Sequence, residues 1–175
     1  DMVSICWITG TLLLTGAILV NWNFFVMIAM WQIAYALYSL PPIKMKRHFA
    51  YSSLLVGIAG TSFTLAGYFL VAPNQSFASI PFGVVFAVWL SLALISNGKD
   101  FKDVKGDRAE GIQTLPAKYG TRKAGLIFNG LLVAWSIIAA IVFHHWAIVL
   151  LATPWLIINL ILKKKAPEYV WFIIL

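Results

Sequence analysis

Residues 79–111 read SIPFGVVFAVWLSLALISNGKDFKDVKGDRAEG. The stretch is uncharged from Ser79 to Gly98 and then turns densely charged. A helix needs about 20 mostly apolar residues to cross the hydrocarbon core of a bilayer, so the first part predicts a span over 79–97. The charged part cannot enter hydrocarbon and belongs at the membrane surface. Outward from this segment, apolar runs at 2–20, 24–43, 49–72, 124–143 and 146–162 predict further spans, and a partial one covers 168–175. Asn21-Trp22-Asn23, Pro73-Asn74-Gln75-Ser76 and His144-His145-Trp146 separate neighbouring runs, so those neighbours should form antiparallel hairpins. The runs are continuous rather than alternating, which speaks against a β-barrel.

Composition points the same way. The chain has 175 residues, of which 61% are hydrophobic and 11% charged, against about 25% charged in an ordinary soluble domain. So apolar and aromatic a chain is not disordered, and a single cysteine, Cys6, cannot staple a small secreted fold. The expected fold class is all-α: a polytopic transmembrane helix bundle forming a single domain over 1–175. The start at Asp1 and the stop inside Val170–Leu175 lead us to expect truncation at both ends.

The thirteen Lys and Arg fall in three segments: Lys44, Lys46 and Arg47; then Lys99, Lys102, Lys105, Arg108, Lys118, Arg122 and Lys123; then Lys163–Lys165. Two predicted spans separate each segment from the next, so all three share one membrane face. By the positive-inside rule that face is cytoplasmic, or its organellar equivalent. The same rule explains a net charge of +7 without a nucleic-acid partner.

It does not explain the acids. Of six acidic residues, Asp100, Asp103, Asp107 and Glu110 sit together at the cytoplasmic end of the fourth span. On a continued helix the spacing puts Asp100, Asp103 and Asp107 on one face. Three carboxylates on one face repel one another and call for a cation. Mg²⁺ suits them, since it takes oxygen ligands and is held by one or two carboxylates plus substrate phosphates. The interleaved Lys99, Lys102, Lys105 and Arg108 supply charge for phosphate oxygens. The bland alternative is a solvated acid/base helix end. No EF-hand-type loop is present for Ca²⁺, and His48, His144 and His145 lack zinc-ligand spacing.

Lys99-Asp100-Phe101-Lys102-Asp103-Val104-Lys105-Gly106-Asp107-Arg108, followed by Gly111, Thr114-Leu115-Pro116 and Tyr119-Gly120, resembles the second aspartate-rich motif of the UbiA superfamily of intramembrane prenyltransferases. Upstream, Tyr38-Ser39-Leu40-Pro41-Pro42 with Lys46-Arg47 resembles a loop of several members. The resemblance implies a nine-helix bundle around a central cavity, of which this chain would start at the third helix and break off in the ninth. It also implies that a first aspartate-rich motif is absent here, so that this fragment alone is inactive.

The resemblance further implies a Mg²⁺-dependent transfer of an isoprenyl group from a polyprenyl diphosphate, such as geranylgeranyl diphosphate, to an aromatic or other lipophilic acceptor. The metal ligands and catalytic groups would be Asp100, Asp103 and Asp107. Tyr38, Lys46, Arg47, Asn97, Lys99 and Arg108 would bind substrate. The lipid bilayer is the other expected partner, and oligomeric state is not legible. Two other readings stay open from the residues alone: a cation-coupled transporter, and a non-catalytic subunit that binds lipid. Transporter carboxylates lie near the midplane, whereas these cluster at one end. A lipid-binding subunit would not need its aspartates.

Among lesser features, Gly57, Gly60 and Gly67 should permit close helix packing. Gln32, Asn129 and Asn159 should bond between helices or line a cavity. Pro154 should kink its span. Trp22, Trp146 and Trp171 fit an interfacial belt.

Overall fold

The computed structural model describes residues 2–147 and 149. Among these, the long elements are helical: α1 (Met2–Val20), α2 (Trp22–Ser39), α3 (Phe49–Val71), α4 (Phe82–Ile95) and α7 (Thr121–Val142), with the short α5 (Val104–Ala109) and α6 (Leu115–Tyr119) between the last two. Segments Met45–Arg47, Phe77–Ser79 and Ser96–Phe101 are 3₁₀ turns. Ala50–Val71, Phe82–Phe101 and Thr121–Val142 are each long and apolar enough to cross a membrane. Large apolar side chains stand fully outward: Leu19, Val71 and Phe82 are 80–86% exposed. Water would penalise such surfaces and lipid does not, so the chain is an integral membrane protein with an all-α fold.

The first five expected spans each coincide with a helix, with shifts at their ends that have local causes. The second starts at Trp22, not 24, because Asn21 caps it: its side chain accepts the Phe24 N–H at 2.8 Å. It stops at Ser39, not 43, since a residue before proline is pushed out of the helical region and Pro41 follows. Pro81 delays the fourth to Phe82. The fifth begins three residues early, so Arg122 and Lys123 lie in the first turn of α7. The seventh expected span and nearly all of the sixth, with Pro154, Asn159, Trp171 and Lys163–Lys165, lie outside the described residues.

The described residues gather into two compact units. One comprises residues up to Lys46 with Leu54–Ala93, the other Arg47–Ser53 with residues from Leu94 onward. In the first, α1 packs on α2. Gln32 Nε2 donates to the Gly10 carbonyl at 3.0 Å, the interhelical bond expected of it. Asn21 Nδ2 reaches the Phe69 carbonyl at 2.9 Å. The core holds Ala17, Met27, Ile28, Ala66 and Phe69. A Cβ on Gly57 would stand 2.8 Å from Ala93 Cβ, and one on Gly60 2.7 Å from Leu92 Cδ1, so these glycines do bring α3 and α4 together. Gly67 does not: nothing lies within 4 Å of its Cβ position. A cavity of about 460 Å³ opens among Met30, Thr61, Ser62, Leu65, Phe82 and Trp89.

The second unit is built on α7. Leu115, Ala124 and Phe128 form its core, against which Phe101 and Leu132 pack. Asn129 Oδ1 is buried and has no hydrogen-bond partner among the described residues. His144 and His145 form an exposed turn, and Trp146 is exposed, as is Trp22 in the first unit.

Candidate active site

The acidic segment follows directly from α4, and its backbone is not the continued helix that the spacing suggested. From Ser96 the chain tightens into 3₁₀ geometry as far as Phe101, turns through Lys102 and Asp103, and re-forms a helix only at Val104. The polar residues at the end of α4 account for the change. Asn97 is buried, and its Nδ2 donates to the Leu94 carbonyl at 3.2 Å, taking up an acceptor that the helix end leaves open. Its Oδ1 accepts from Ser53 Oγ at 2.8 Å. Asn97 thus ties the end of α4 to the start of α3, with its amide engaged inside the protein.

Phe101 anchors the segment. Its ring meets Phe128 at 5.9 Å between centroids and reaches the unit's core, while its neighbours stay polar. Asp100 and Lys99 are half-buried on one side of it, and Lys102 and Asp103 are exposed on the other. A 3₁₀ turn has three residues where an α-turn has 3.6, so the three aspartates do not line up along one α-helical face. They remain neighbours: Lys99, Asp107 and Asp103 are all within electrostatic reach of Asp100.

Asp107 is held most firmly. It lies half-buried in α5. That helix has only six residues and closes in a Schellman turn: Ile112 N–H bonds the Asp107 carbonyl at 2.8 Å and Gly111 N–H the Arg108 carbonyl at 3.3 Å. Gly111 has φ +69°, the left-handed region that a side chain would disfavour. The turn sends the chain back along α5, and Thr114 Oγ1 then donates to Asp107 Oδ2 at 2.8 Å. Between them, Gln113 N–H bonds the Arg47 carbonyl at 2.9 Å, and Gln113 bridges to His48. Arg47 and His48 therefore meet the end of the acidic segment through backbone, with Arg47 exposed. Arg108 is exposed, and its Nε donates to the Ala117 carbonyl at 3.1 Å.

Of the expected site residues, this unit contains Arg47, Asn97, Lys99, Asp100, Asp103, Asp107 and Arg108, of which Lys99, Asp103 and Asp107 lie within electrostatic reach of Asp100. Tyr38 and Lys46 belong to the other unit. Tyr38 is half-buried there, packed on the Ala34, Leu55 and Ala59 cluster and edge-on to Tyr35. The partner residues Ser53, Gln113 and Thr114 were not singled out by sequence. Thr114 stood within the quoted motif, but nothing in its spacing assigned its hydroxyl to Asp107.

The donors present suit Mg²⁺ by chemistry, being hard carboxylate oxygens. Among the described residues no group of three Asp, Glu, His or Cys side chains converges into a ready-made cage. That is compatible with Mg²⁺, which is held by one or two carboxylates and completed by water and substrate phosphate.

Comparison with known proteins agrees with the motif. The chain is 32% identical over 102 residues to a chloroplastic 2-acylphloroglucinol 4-prenyltransferase of Humulus lupulus, a match covering 55% of this chain and 25% of that protein. It is 34% identical over 119 residues to the bacteriochlorophyll synthase 33 kDa chain of Rhodobacter capsulatus, covering 66% of this chain and 38% of that one. The matched region thus spans well under half the length of these relatives. No solved structure matches significantly. The family model of the UbiA prenyltransferases matches residues 1–167. On that match, the chain belongs to the UbiA prenyltransferase family.

Proposed function

We propose that the full-length protein carrying this chain is a Mg²⁺-dependent intramembrane prenyltransferase. It moves an isoprenyl group from a polyprenyl diphosphate, of the geranylgeranyl class, to an aromatic or other lipophilic acceptor. The supporting observation is the pairing of a membrane-spanning helix with a surface segment in which Asp100, Asp103, Asp107 and Lys99 lie within electrostatic reach of one another. An apolar tail and a charged head need those two environments side by side.

Asp100, Asp103 and Asp107 are the residues that would hold Mg²⁺, together with groups from the rest of the protein. When bound, Mg²⁺ offsets the diphosphate charge and makes it a competent leaving group. Arg47, Lys99 and Arg108 donate hydrogen bonds to the diphosphate oxygens. Arg108 does so through the guanidinium N–H groups left over from its bond to Ala117. The allylic C–O bond breaks, and its electron pair leaves with the diphosphate. Apolar helix faces exclude water from the resulting carbocation. The acceptor attacks the cation and then loses a proton. The positive-inside rule places the acidic segment on the cytoplasmic face.

The test uses the full-length protein in detergent with Mg²⁺, radiolabelled geranylgeranyl diphosphate and a panel of phenolic and alcohol acceptors. We expect labelled, solvent-extractable product with at least one acceptor, and none when EDTA replaces Mg²⁺. Label that stays as diphosphate with every acceptor would count against the proposal.

A further inference from the structure

Thr114 sits at the N-cap of α6, where a threonine side chain ordinarily accepts a backbone N–H from the first turn. It makes no such bond here. Pro116 lies in that first turn and supplies no N–H. The hydroxyl instead donates to Asp107 Oδ2 at 2.8 Å, and Thr114 is only 6% exposed. The residues around it are fixed in turn: Leu115 and Pro116 are buried in the core of the unit, and Gln113 is tied to Arg47 and His48. Thr114 is thus mounted on the best-packed part of the unit, and Asp107 on a six-residue helix too short to be rigid alone.

We infer that Thr114 is the positioning residue of the acidic segment, holding the Asp107 carboxylate in the orientation in which it binds the divalent cation and its diphosphate. This rests on the prenyl-diphosphate reading above. The carboxylate is planar, so fixing Oδ2 restricts Oδ1 as well. A hydroxyl donor to an ionised carboxylate is charge-assisted and directional. Without it, Asp107 turns freely about its side-chain bonds and must be ordered each time the cation binds. Groups that orient a metal ligand are typically worth 10- to 100-fold in metal affinity.

The test measures Mn²⁺ binding, as a spectroscopic stand-in for Mg²⁺, by electron paramagnetic resonance on the full-length protein in detergent with inorganic diphosphate. Thr114→Val keeps the size and removes the hydroxyl, and is expected to weaken Mn²⁺ binding about 10- to 100-fold. Thr114→Ser keeps the hydroxyl and should stay close to wild type. In an Asp107→Ala background, Thr114→Val should cost nothing further. Should Thr114→Val fail to fold, Thr114→Cys, a poorer donor of similar size, carries the same expectation. Binding by the donor-deficient variant equal to wild type, or an equal loss with and without Asp107, overturns the inference while leaving the prenyl-diphosphate reading intact. A wild-type protein that binds no Mn²⁺ with diphosphate overturns both.

Discussion

Helix α3 and the segment Ser96–Thr114 are close in length but unlike in what holds them. α3 is one unbroken α-helix from Phe49 to Val71, the geometry that pairs backbone groups within the segment as a span in lipid requires. Its middle packs closely on α4, with Gly57 and Gly60 letting Ala93, Trp89 and Leu92 approach. Ser96–Thr114 has no long helix. It is a 3₁₀ turn, a bend, six residues of α5 and a Schellman turn, held by a few specific bonds from Asn97, Thr114, Arg108 and Gln113. The contrast separates stability from chemistry. Changes in α3 should alter folding with little specific effect on turnover, and changes in the segment should do the reverse.

The largest effect is expected at Asp107. Asp107→Ala should lower prenyl transfer by about 100-fold or more, since it removes a ligand rather than its support. Its stability in detergent should fall by only about 1 kcal/mol, the cost of leaving the Thr114 hydroxyl without Asp107. A comparable fall in both would erase the distinction between the two regions. Next comes Gly57→Val, whose Cβ would stand 2.9 Å from the Trp89 carbonyl oxygen as well as 2.8 Å from Ala93. Overpacking of this kind costs about 1–3 kcal/mol, read as a lower unfolding midpoint, with kcat of the folded fraction unchanged.

Asn97→Ala tests the junction, because that side chain belongs to both worlds. Removing it takes one bond from the Ser53 hydroxyl and one from the Leu94 carbonyl. The expected loss is about 1 kcal/mol of stability, with a smaller fall in turnover than at Asp107. Differential scanning fluorimetry and steady-state rates on one preparation would show both. The smallest effect belongs to Gly67→Ala: with open space around the Cβ position, it should be neutral or stabilise α3 by up to about 1 kcal/mol. A destabilised Gly67→Ala would mean that α3 packs on something at this face.

What was legible in the sequence follows the same division. Helix positions follow hydrophobicity over long windows, so the helices α1, α2, α3, α4 and α7 could be found, with errors at their ends where residues such as Asn21, Pro41 and Pro81 act locally. The aspartates and basic residues of the candidate site could be named because their types and spacing are unusual at a membrane boundary. Their geometry could not. Extending α4 through Asp107 assumed one helical period, while Asn97 and Gly98 let the chain tighten into a 3₁₀ turn. The bonds from Thr114 to Asp107 and from Gln113 to Arg47 depend on a reversal at Gly111 and on residues 66 positions apart, which no local pattern encodes. Gly67 looked the same as Gly57 in sequence, and only its neighbours in space tell them apart.

The central claim is that the acidic segment grips a prenyl diphosphate through a divalent cation. Equilibrium binding of radiolabelled geranylgeranyl diphosphate to the full-length protein tests it most directly. We expect retention with Mg²⁺, release on adding EDTA, and loss of retention in the Asp100→Ala/Asp107→Ala double variant. Retention by the double variant at wild-type affinity, or binding indifferent to EDTA, would contradict the account.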